Sequence, residues 1–326
     1  MKIIWIYILM LLCAVGSISA KETSSVDEKI LRLQILLDQK NFSPGKVDGR
    51  NGYFTKEALK YSKVAKSEVE SDELADEPDE SDEIADKPEV SEQDGPLYTT
   101  YTIRSEDEKF IGKAPEKPAE QAKRKSLPYI NFAEMIAERF HTDVPFLKEI
   151  NQDKDMKKIK VGDEVKVPNV KPFLIEDLKE KKANKKKDYS KRIIKIDVKK
   201  RLLFLYEDDK ETLLAVFPIT PGSKSLPAPK GTWKVKAIAY LPWFRHDKQM
   251  LKKGTRSGDF NNVPPGPNSD VGVVWIALSK KGIGIHGTDS PETIGRSFSH
   301  GCIRLTNWDA IKLSKMITKG VTVQID

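Results

Sequence analysis

The sequence predicts a multidomain protein whose largest part is a mainly β domain at the C-terminal end, preceded by a small α-helical module and an α+β module. From Arg192 onward, short segments rich in Val, Ile and aromatic residues alternate with Gly and Pro, which is typical of an all-β sandwich or barrel. Before it, apolar residues recur at helical spacing in two regions separated by a strongly acidic stretch. The length of 326 residues is sufficient for two or three domains.

The first twenty residues, MKIIWIYILMLLCAVGSISA, combine one lysine, an apolar run from Ile3 to Val15 and small residues at the end. This composition is typical of a secretory signal peptide at residues 1–20. An uncleaved membrane anchor is the alternative, although the run is shorter than the roughly 20 residues of a spanning helix. We therefore expect an exported protein of the periplasm or cell envelope, with membrane contact only through an uncleaved signal segment.

Residues 27–64 predict a helix, a turn and a second helix. Apolar side chains share helical spacing from Ile30 to Leu37, SPG and DGRNG are turn signals, and Thr55 is the candidate N-cap of the second helix. The segment also resembles the helical type of peptidoglycan-binding domain, at Leu33, Gln34, Asp48, Gly49, Gly52, Thr55, Ala58 and Leu59. A helical hairpin without a binding role is the alternative.

Residues 65–96 are predicted to be an acidic, disordered linker. From Glu68 to Asp94 there are fourteen acidic residues and one lysine, and SDELADEP is repeated as SDEIADKP. Like charges repel and few apolar side chains are available to form a core, so an extended spacer is expected. The alternative is an acidic stretch that binds divalent cations.

Residues 97–170 predict a strand, two helices and a closing strand. Tyr101 and Ile103 alternate as in a strand, helical stripes follow at Phe132–Phe140 and Phe146–Ile150, and Val161–Val167 suggests the last strand. This order, with AEMIAERF, LKEINQD and VGDEVKVP, resembles a LysM module, which implies glycan binding. Residues 105–128, rich in Lys and Pro, are an insertion relative to that pattern.

A basic linker is predicted at residues 171–190, where Lys179–Arg192 reads KEKKANKKKDYSKR. The alternative is a surface patch that contacts anionic wall polymer or lipid headgroups. No aromatic residues are interleaved for base stacking, so no nucleic-acid partner is expected.

The mainly β domain is predicted at residues 191–326. Six short segments predict strands: RIIKIDV, RLLFLYE, LLAVFPIT, GTWKVKAIAY, VGVVWIAL and VTVQID. NWDAIKLSKMI predicts a closing helix with Asn307 as its N-cap. The whole chain has a formal net charge of +7, and Ser190–Asp326 alone has 23 basic and 12 acidic residues, a net charge of +11. This charge favours an acidic substrate.

One segment of this domain, HGTDSPETIGRSFSHGCIRL, holds two of the four histidines and the only cysteine after residue 20. After signal cleavage Cys302 has no partner for an internal disulfide, so its thiol is either buried and inert or reactive. An imidazole can accept the thiol proton and return it to a leaving amine. The glycine-rich loop allows His286 to reach Cys302, and N–H groups beside Gly301 can stabilise an oxyanion. The pattern predicts acyl transfer through a thioester.

The same residues resemble the L,D-transpeptidase catalytic domain of the YkuD type, whose signature is His-Gly-Thr and then Ser-His-Gly-Cys-Ile-Arg-Leu. These are His286–Thr288 and Ser299–Leu305 here, and PPGPNSDVG, FPITPGS and PKGTW add to the likeness. The resemblance implies a β-sandwich-like fold with a catalytic loop and a C-terminal helix, acting on peptidoglycan stem peptides without a cofactor.

In the reaction that the resemblance implies, Cys302 is the nucleophile and His286 the general base and acid. The bond attacked joins a diamino acid at position three to D-Ala at position four. D-Ala leaves and an amine accepts the acyl group, which gives a 3–3 crosslink or a protein attached to the wall. Water as the acceptor, as in an L,D-carboxypeptidase, is the alternative.

Other residues of the motif receive secondary roles. His300 shapes the pocket or supports the thiolate, with a purely structural role or the role of base as alternatives. Ser299 is expected to hydrogen-bond within the loop. Arg304 is expected to hold a substrate carboxylate, with a surface ion pair as the alternative. Gly287 and Thr288 are assigned to substrate binding.

Three remaining polar residues are given no catalytic role. Asp289 is interpreted as a solvated loop acid, and His246 and His141 as ordinary surface or core histidines.

Three other classes of function fit the sequence less well than an L,D-transpeptidase: a zinc site, another cysteine acyltransferase and a non-catalytic binding protein. A zinc site at His286, His300 and Cys302 lacks the paired spacing of structural zinc sites, so no metal is expected. Sortases have a longer His–Cys separation, and papain-like amidases have the reverse order. A non-catalytic wall-binding protein needs neither Cys302 nor His286. The expected partners are peptidoglycan, as glycan strands and stem peptides, and wall-anchored protein acceptors.

Overall fold

The computed structural model describes residues 26–70, 95–178, 189–208 and 212–326, with backbone only at 66–70. The predicted signal peptide, most of the acidic linker and the lysine-rich part of the basic linker lie outside these ranges. Among the residues that are described, no helix has the length and apolar character needed to cross a membrane.

The first module is a pair of helices, α1 at Glu28–Gln39 and α2 at Tyr53–Glu70. The Asp27 carboxylate caps α1 by accepting hydrogen bonds from the N–H groups of Lys29 and Ile30. Thr55 is not an N-cap, because α2 begins two residues earlier and the Thr55 hydroxyl is buried, where it accepts a hydrogen bond from Gln34. Helix α2 also continues six residues beyond the predicted boundary at 64.

The second module has the predicted order of strand, helix, helix and strand. Strands β1 (Tyr98–Thr102) and β2 (Glu164–Pro168) pair antiparallel and flank α4 (Phe132–Arg139) and α5 (Val144–Ile150). The insertion folds into a 3-10 turn at Ser105–Phe110 and the short helix α3 at Pro118–Gln121. Val161 precedes β2 instead of belonging to it.

Part of the predicted basic linker belongs to this module. Phe173, Ile175 and Leu178 are buried, and both guanidinium NH groups of Arg139 donate to the carboxylate of Glu176 at 3.0 Å. The apolar side chains of residues 171–178 explain the difference, because they pack into the core before the lysine-rich stretch begins.

The C-terminal domain is mainly β, as predicted. Its strands are β3 Ile193–Asp197, β4 Leu202–Tyr206, β5 Leu213–Pro218, β6 Gly231–Tyr240, β7 Phe244–His246, β8 Asn261–Val263, β9 Val274–Leu278, β10 Gly284–His286, β11 Ile303–Arg304 and β12 Thr322–Ile325. Eight of them form one sheet in the order β11-β10-β9-β6-β12-β3-β4-β5. Helix α7 (Asn307–Met316) packs against this sheet, and a separate hairpin, β7 and β8, carries α6 (Lys248–Lys253).

The sheet curls because β6 changes partner along its length. Its first residues pair with β12 and its later ones with β9, with a bulge between Val235 and Ala237. Just beyond β5, Thr220 exchanges two backbone hydrogen bonds of 2.9 Å with Arg304 on β11. The expected sandwich is therefore one sheet whose two ends are joined next to β11.

Helix α7 is capped by Thr306, whose hydroxyl accepts a hydrogen bond from the Asp309 N–H at 3.2 Å. The predicted cap, Asn307, is instead the first helical residue. Its side chain is fully buried and bonds to Val273 and Glu138, so it is not available to cap the helix.

Both N-terminal modules pack directly on the β domain. The sequence had instead led us to expect modules separated from it by extended spacers. Phe42 forms a parallel bridge with Val216 on the edge strand β5. The buried Asp38 carboxylate accepts hydrogen bonds from Lys312 of α7 at 2.6 Å, and it contacts Nδ1 of His141 at 3.0 Å. His141 is thus a core histidine, and one hydrophobic cluster runs through all three parts.

Candidate active site

Most of the residues singled out from the sequence meet at one cavity of about 470 Å³. It is lined by His286, Cys302 and Trp275, and by Ser299, His300 and Arg304. Further lining comes from the β7–α6–β8 hairpin and the segment just before it, including Phe244, Met250 and Trp243. The site therefore lies between the end of the curled sheet and this hairpin.

His286 and Cys302 are positioned by two neighbouring strands, β10 and β11. His286 is the last residue of β10, which pairs in parallel with β11, and His286 stands opposite Arg304 in that pairing. Cys302 immediately precedes β11. The Leu305 N–H donates to the His286 carbonyl at 2.8 Å, so the two strand ends are held together. A sixteen-residue separation in sequence is thus closed by strand pairing.

His286 is buried, with 4% of its surface exposed, and its ring has a defined tautomer. Nδ1 lies 2.6 Å from the Gly287 carbonyl oxygen, which can only accept a hydrogen bond. Nδ1 must therefore carry the proton, which leaves Nε2 as an acceptor. Burial, and then the positive charge of Arg304, lower the pKa of His286 from 6.5 to about 3, so the ring is neutral at pH 7.

Trp275 on β9 supports this ring from the neighbouring strand. The two rings stack with centroids 5.3 Å apart and an interplanar angle of 19°. Gly284 makes this possible, because a Cβ at Gly284 would lie 2.6 Å from the indole. Gly284 is therefore needed for the close approach of the indole, in addition to any effect on loop flexibility.

Cys302 is a free, partly exposed thiol at the cavity. Its Sγ lies 3.8 Å from the Gly282 carbonyl oxygen. Burial raises the pKa of the thiol, and a hydrogen bond from the Gly284 N–H and then the positive charge of Arg304 oppose the shift only in part. The pair is therefore a neutral thiol and a neutral imidazole, and a thiolate forms here only if the proton leaves Sγ.

The turn before Cys302 is held by Ser299. Its hydroxyl accepts a hydrogen bond from the Gly301 N–H at 3.2 Å and donates one to the Cys302 carbonyl. The backbone of Ser299 is bonded on both sides to the segment after β5, at Pro221 and Ser223. Gly301 adopts the left-handed backbone conformation, with φ of 105°. The Ser299 hydroxyl is thus occupied inside the loop.

Charged and titratable side chains also line the cavity. Arg304 has a buried Nε without a hydrogen-bond partner among the described residues, and His300 is exposed. The sequence did not single out Asp270, whose carboxyl also lines the cavity. Burial raises the pKa of Asp270, while His246, Arg304 and His300 act in the opposite direction. The Asp270 carboxyl and the Arg304 guanidinium therefore line the same cavity as Cys302.

Gly287 and Thr288 do not line the cavity, although the resemblance assigned them to substrate binding. A Cβ on Gly287 would lie 2.0 Å from Oδ1 of Asn307, so this glycine allows close packing beneath His286. Thr288 is buried and its hydroxyl accepts from the Ser290 N–H. Asp289 is exposed, and its carboxylate accepts hydrogen bonds from the Thr288 and Ser290 hydroxyls.

Over the part of the chain that the structure describes, no group of three or more His, Cys, Asp or Glu side chains is placed to hold a metal ion. His246 lies on β7, and its charge affects the pKa of both Asp270 and His300.

Sequence reasoning missed Trp275 and Asp270. Both lie in segments that were noted for other reasons, Trp275 in VGVVWIAL as a strand and Asp270 in PPGPNSDVG as part of the family likeness. Trp275 stands opposite His286 only through the β9–β10 register, which a single sequence does not reveal.

Comparisons with known proteins relate the C-terminal part of the chain to L,D-transpeptidases. Residues 191–325 match the family model for YkuD, the L,D-transpeptidase catalytic domain. The chain is 30% identical over 132 residues to "Putative L,D-transpeptidase YkuD" of Bacillus licheniformis, covering 40% of this chain and 64% of that protein. It is 40% identical over 74 residues to the protein of the same name in Bacillus subtilis, covering 22% of this chain and 45% of that one.

Among solved structures, an L,D-transpeptidase from Mycobacterium smegmatis is 19% identical, with a TM-score of 0.34 and coverage of 42% of this chain and 58% of that one. The chain thus spans less than two thirds of each of these three proteins. The comparisons do not confirm the LysM-like and peptidoglycan-binding resemblances of the N-terminal modules. They support, at residues 191–325, a YkuD-type L,D-transpeptidase catalytic domain.

Proposed function

We propose that the chain is an exported cell-wall L,D-transpeptidase that uses Cys302 to attack peptidoglycan stem tetrapeptides. The observation that carries the proposal is the state of His286. This neutral imidazole donates from Nδ1 to Gly287 and has a free Nε2, and it shares one cavity with the only thiol in residues 21–326. A neutral base beside a protonated thiol is the starting state for general-base attack on a carbonyl.

In the first half-reaction the Cys302 proton passes to Nε2 of His286 as sulfur bonds to the carbonyl carbon of residue three of the stem. The Cys302 N–H makes no hydrogen bond within the described chain, so it is the candidate oxyanion donor; the Gly301 N–H is already bonded to Ser299. His286 then protonates the departing nitrogen, the C–N bond breaks, and D-Ala leaves a thioester on Cys302.

In the second half-reaction an acceptor amine attacks the thioester carbonyl and gives its proton to His286. The C–S bond breaks, and the thiolate takes the proton back. The acceptor is the side-chain amine of a second stem, or a wall-anchored protein. Both His300 and Arg304 line the cavity. His300 is proposed to shape the pocket, and Arg304 to hold a substrate carboxylate. No step requires a metal or a cofactor.

The charge of the chain and its N-terminal modules fit work at the cell wall. The net charge of +11 over Ser190–Asp326 favours approach to carboxylate-rich stem peptides. The helical and α+β modules are proposed to contact peptidoglycan, in line with their sequence resemblances. Export through the segment at 1–20 places the enzyme in the periplasm or cell envelope.

The test is D-Ala release from disaccharide tetrapeptides, followed together with the mass of the products. The wild type is expected to release D-Ala and to form a dimer that retains one fewer D-Ala, and Cys302→Ala is expected to release none. Ser297→Ala, in the same loop but outside the cavity lining, is the matched control and should keep its activity. Equal release by the wild type and Cys302→Ala would refute the proposal.

Two further readouts separate the alternatives. Release of D-Ala with only tripeptide as the product would make the enzyme an L,D-carboxypeptidase. A carbapenem is expected to add its mass to the peptide that contains Cys302, as the family resemblance implies. A protein that binds wall but neither releases D-Ala nor forms this adduct would be a non-catalytic wall-binding protein.

A further inference from the structure

Glu138 makes an unusual contact between the α+β module and the β domain. It lies on α4 with 6% of its surface exposed, and the Tyr129 hydroxyl donates to its Oε1 at 2.7 Å. Nδ2 of Asn307, at the start of α7, lies 3.1 Å from each of its carboxyl oxygens. A buried acid of one module is thus bonded to the catalytic domain through a single asparagine.

That asparagine lies directly beneath the strand end that bears His286. Its Oδ1 accepts a hydrogen bond from the Val273 N–H at 3.1 Å. A Cβ would lie 2.1 Å from this oxygen if placed on Gly272 and 2.0 Å if placed on Gly287. Two glycines therefore allow the backbone on both sides of Asn307 to approach its amide, and one of them carries the carbonyl that receives the His286 Nδ1–H.

We infer that Glu138 is a positioning residue for the catalytic imidazole: by fixing the Asn307 amide, it fixes the Gly287 carbonyl and hence the tautomer and direction of His286. This inference rests on the proposed function for its catalytic meaning, while the structural link stands independently of it. The chain of contacts runs from Glu138 to Asn307, from Asn307 to Gly287, and from Gly287 to His286.

The neighbouring contacts show that the same face of the module also supports the wall of the cavity. The Leu127 N–H donates to the Pro265 carbonyl at 2.9 Å, and Nδ2 of Asn268 donates to the Pro128 carbonyl at 2.8 Å. The segment from 265 to 272 leads to Asp270 and Val271, which line the cavity. The α+β module thus contacts the two backbone segments that frame the site, beyond any binding role of its own.

The test compares Glu138→Ala with Ser43→Ala in the full chain. Ser43→Ala also removes a buried hydrogen bond from an N-terminal module to α7, because the Ser43 hydroxyl donates to Asp309 at 2.8 Å. It does not touch Asn307, Gly272 or Gly287. Both variants are expected to lower the unfolding temperature, so the comparison isolates the effect on His286.

The first readout is the nuclear magnetic resonance spectrum of protein labelled with ¹⁵N only in its four histidines. We expect one protected Nδ1–H signal from His286 in the wild type and in Ser43→Ala, and a shifted or broadened signal in Glu138→Ala. The second readout is the rate at which iodoacetamide alkylates Cys302, followed on its peptide. That rate should fall in Glu138→Ala only, because the thiol loses its oriented base.

The third readout is D-Ala release, where Glu138→Ala should lose up to roughly a hundredfold in kcat with little change in KM. Glu138→Gln keeps an oxygen at the Oε1 position for Tyr129 and Asn307, so it should fold if Glu138→Ala does not, and all its readouts should lie closer to the wild type. If Glu138→Ala matches Ser43→Ala in the His286 signal and in both rates, Glu138 only docks the module and the inference is overturned.

Failure of the proposed function would look different. A wild type that releases no D-Ala contradicts the transpeptidase proposal, while the histidine signal and the alkylation rate still decide whether Glu138 positions His286.

Discussion

The imidazole of His286 is oriented before any substrate arrives, and two neighbours do this by different means. The Gly287 carbonyl selects the tautomer through Nδ1, and the Trp275 indole excludes water from one face of the ring. The exclusion of water is the larger cause of the lowered pKa of His286, because an imidazolium here would lose its hydration, and the positive charge of Arg304 adds to the shift. The residue is therefore built as a neutral base.

This state predicts the pH dependence of Cys302 reactivity. Because the pKa of His286 is about 3, its protonation should not slow the wild type between roughly pH 5 and 7, where a free histidine would titrate. Trp275→Leu should admit water, raise the pKa of His286 towards 6.5 and produce a fall in rate below about pH 6. The measurements are the rates of Cys302 alkylation and of D-Ala release at pH values from 5 to 7.

Trp233→Leu is the matched control, since this tryptophan lies on β6 outside the cavity lining and its indole N–H donates to the Pro229 carbonyl. Its profile should follow that of the wild type. A wild-type rate that falls with an apparent pKa near 6.5 would contradict the buried, neutral imidazole.

At the residue scale, the sequence was most informative where chemistry is local. Cys302 and His286 stood out because a cysteine that follows Ser-His-Gly, sixteen residues after a second histidine, forms a recognisable sequence motif. Trp275, Asp270 and Glu138 reach the site only through strand register and module packing. Thr55 was misread as a cap because its hydroxyl is a good cap by type but is bonded to Gln34 in the fold.

At the element scale, α7 is the structural link of the molecule. Successive turns of this helix present Asn307 to the α+β module and Asp309 and Lys312 to the helical module. The sequence predicted the helix itself from its apolar spacing. It could not predict the buried polar residues, because their partners are far away in the chain and a buried acid has the same local signature as an exposed one.

Two buried acids, Glu138 on α4 and Asp309 on α7, predict how the free energy of unfolding changes with pH. Burial raises the pKa of Glu138 to about 8 and that of Asp309 to about 7. In the unfolded chain both groups lose their protons near pH 4, so the folded state holds more protons between about pH 4 and 8. The free energy of unfolding should therefore decrease as pH rises through this range, against the contributions of other groups.

Asp309→Asn isolates one part of this dependence. The amide cannot ionise, so the variant should lose less stability than the wild type between pH 5 and pH 8 in urea unfolding. Asp326→Asn changes an exposed acid and should leave the slope unchanged. A slope in Asp309→Asn equal to that of the wild type would show that Asp309 is already ionised in the fold.

At the scale of the whole molecule, the two N-terminal modules are parts of one packed body. The helical module covers the edge strand β5 through Phe42, and edge strands that stay uncovered are prone to pair with other chains. The acidic and lysine-rich stretches lie outside the described residues, so their assignment as linkers stays a prediction. No pattern in the sequence indicated that the modules on either side would dock. Docking depends on how well two surfaces fit each other, and the spacing of apolar residues in a sequence gives no information about that fit.

Cutting the chain inside the acidic stretch tests this packing. With a protease site inserted between Glu80 and Ser81, fragments 1–80 and 81–326 should stay together on size-exclusion chromatography at micromolar concentration after cleavage. Lys312→Ala removes a 2.6 Å hydrogen bond to the buried Asp38 and should weaken the association by about 2 kcal/mol, roughly thirtyfold. Lys315→Ala, exposed on the same helix, is the control. Separation of the wild-type fragments would mean that the module is only tethered.

The pairing of β10 with β11 has a further consequence for how this site can change. His286 and Cys302 are held by strands that bond to each other, so their proximity is a property of the sheet and not of the residues between them. Asp289, Glu292, Arg296 and Phe298 are exposed in that intervening segment. None of these four side chains lines the cavity, so this segment should accept substitutions while the sheet keeps His286 and Cys302 in place.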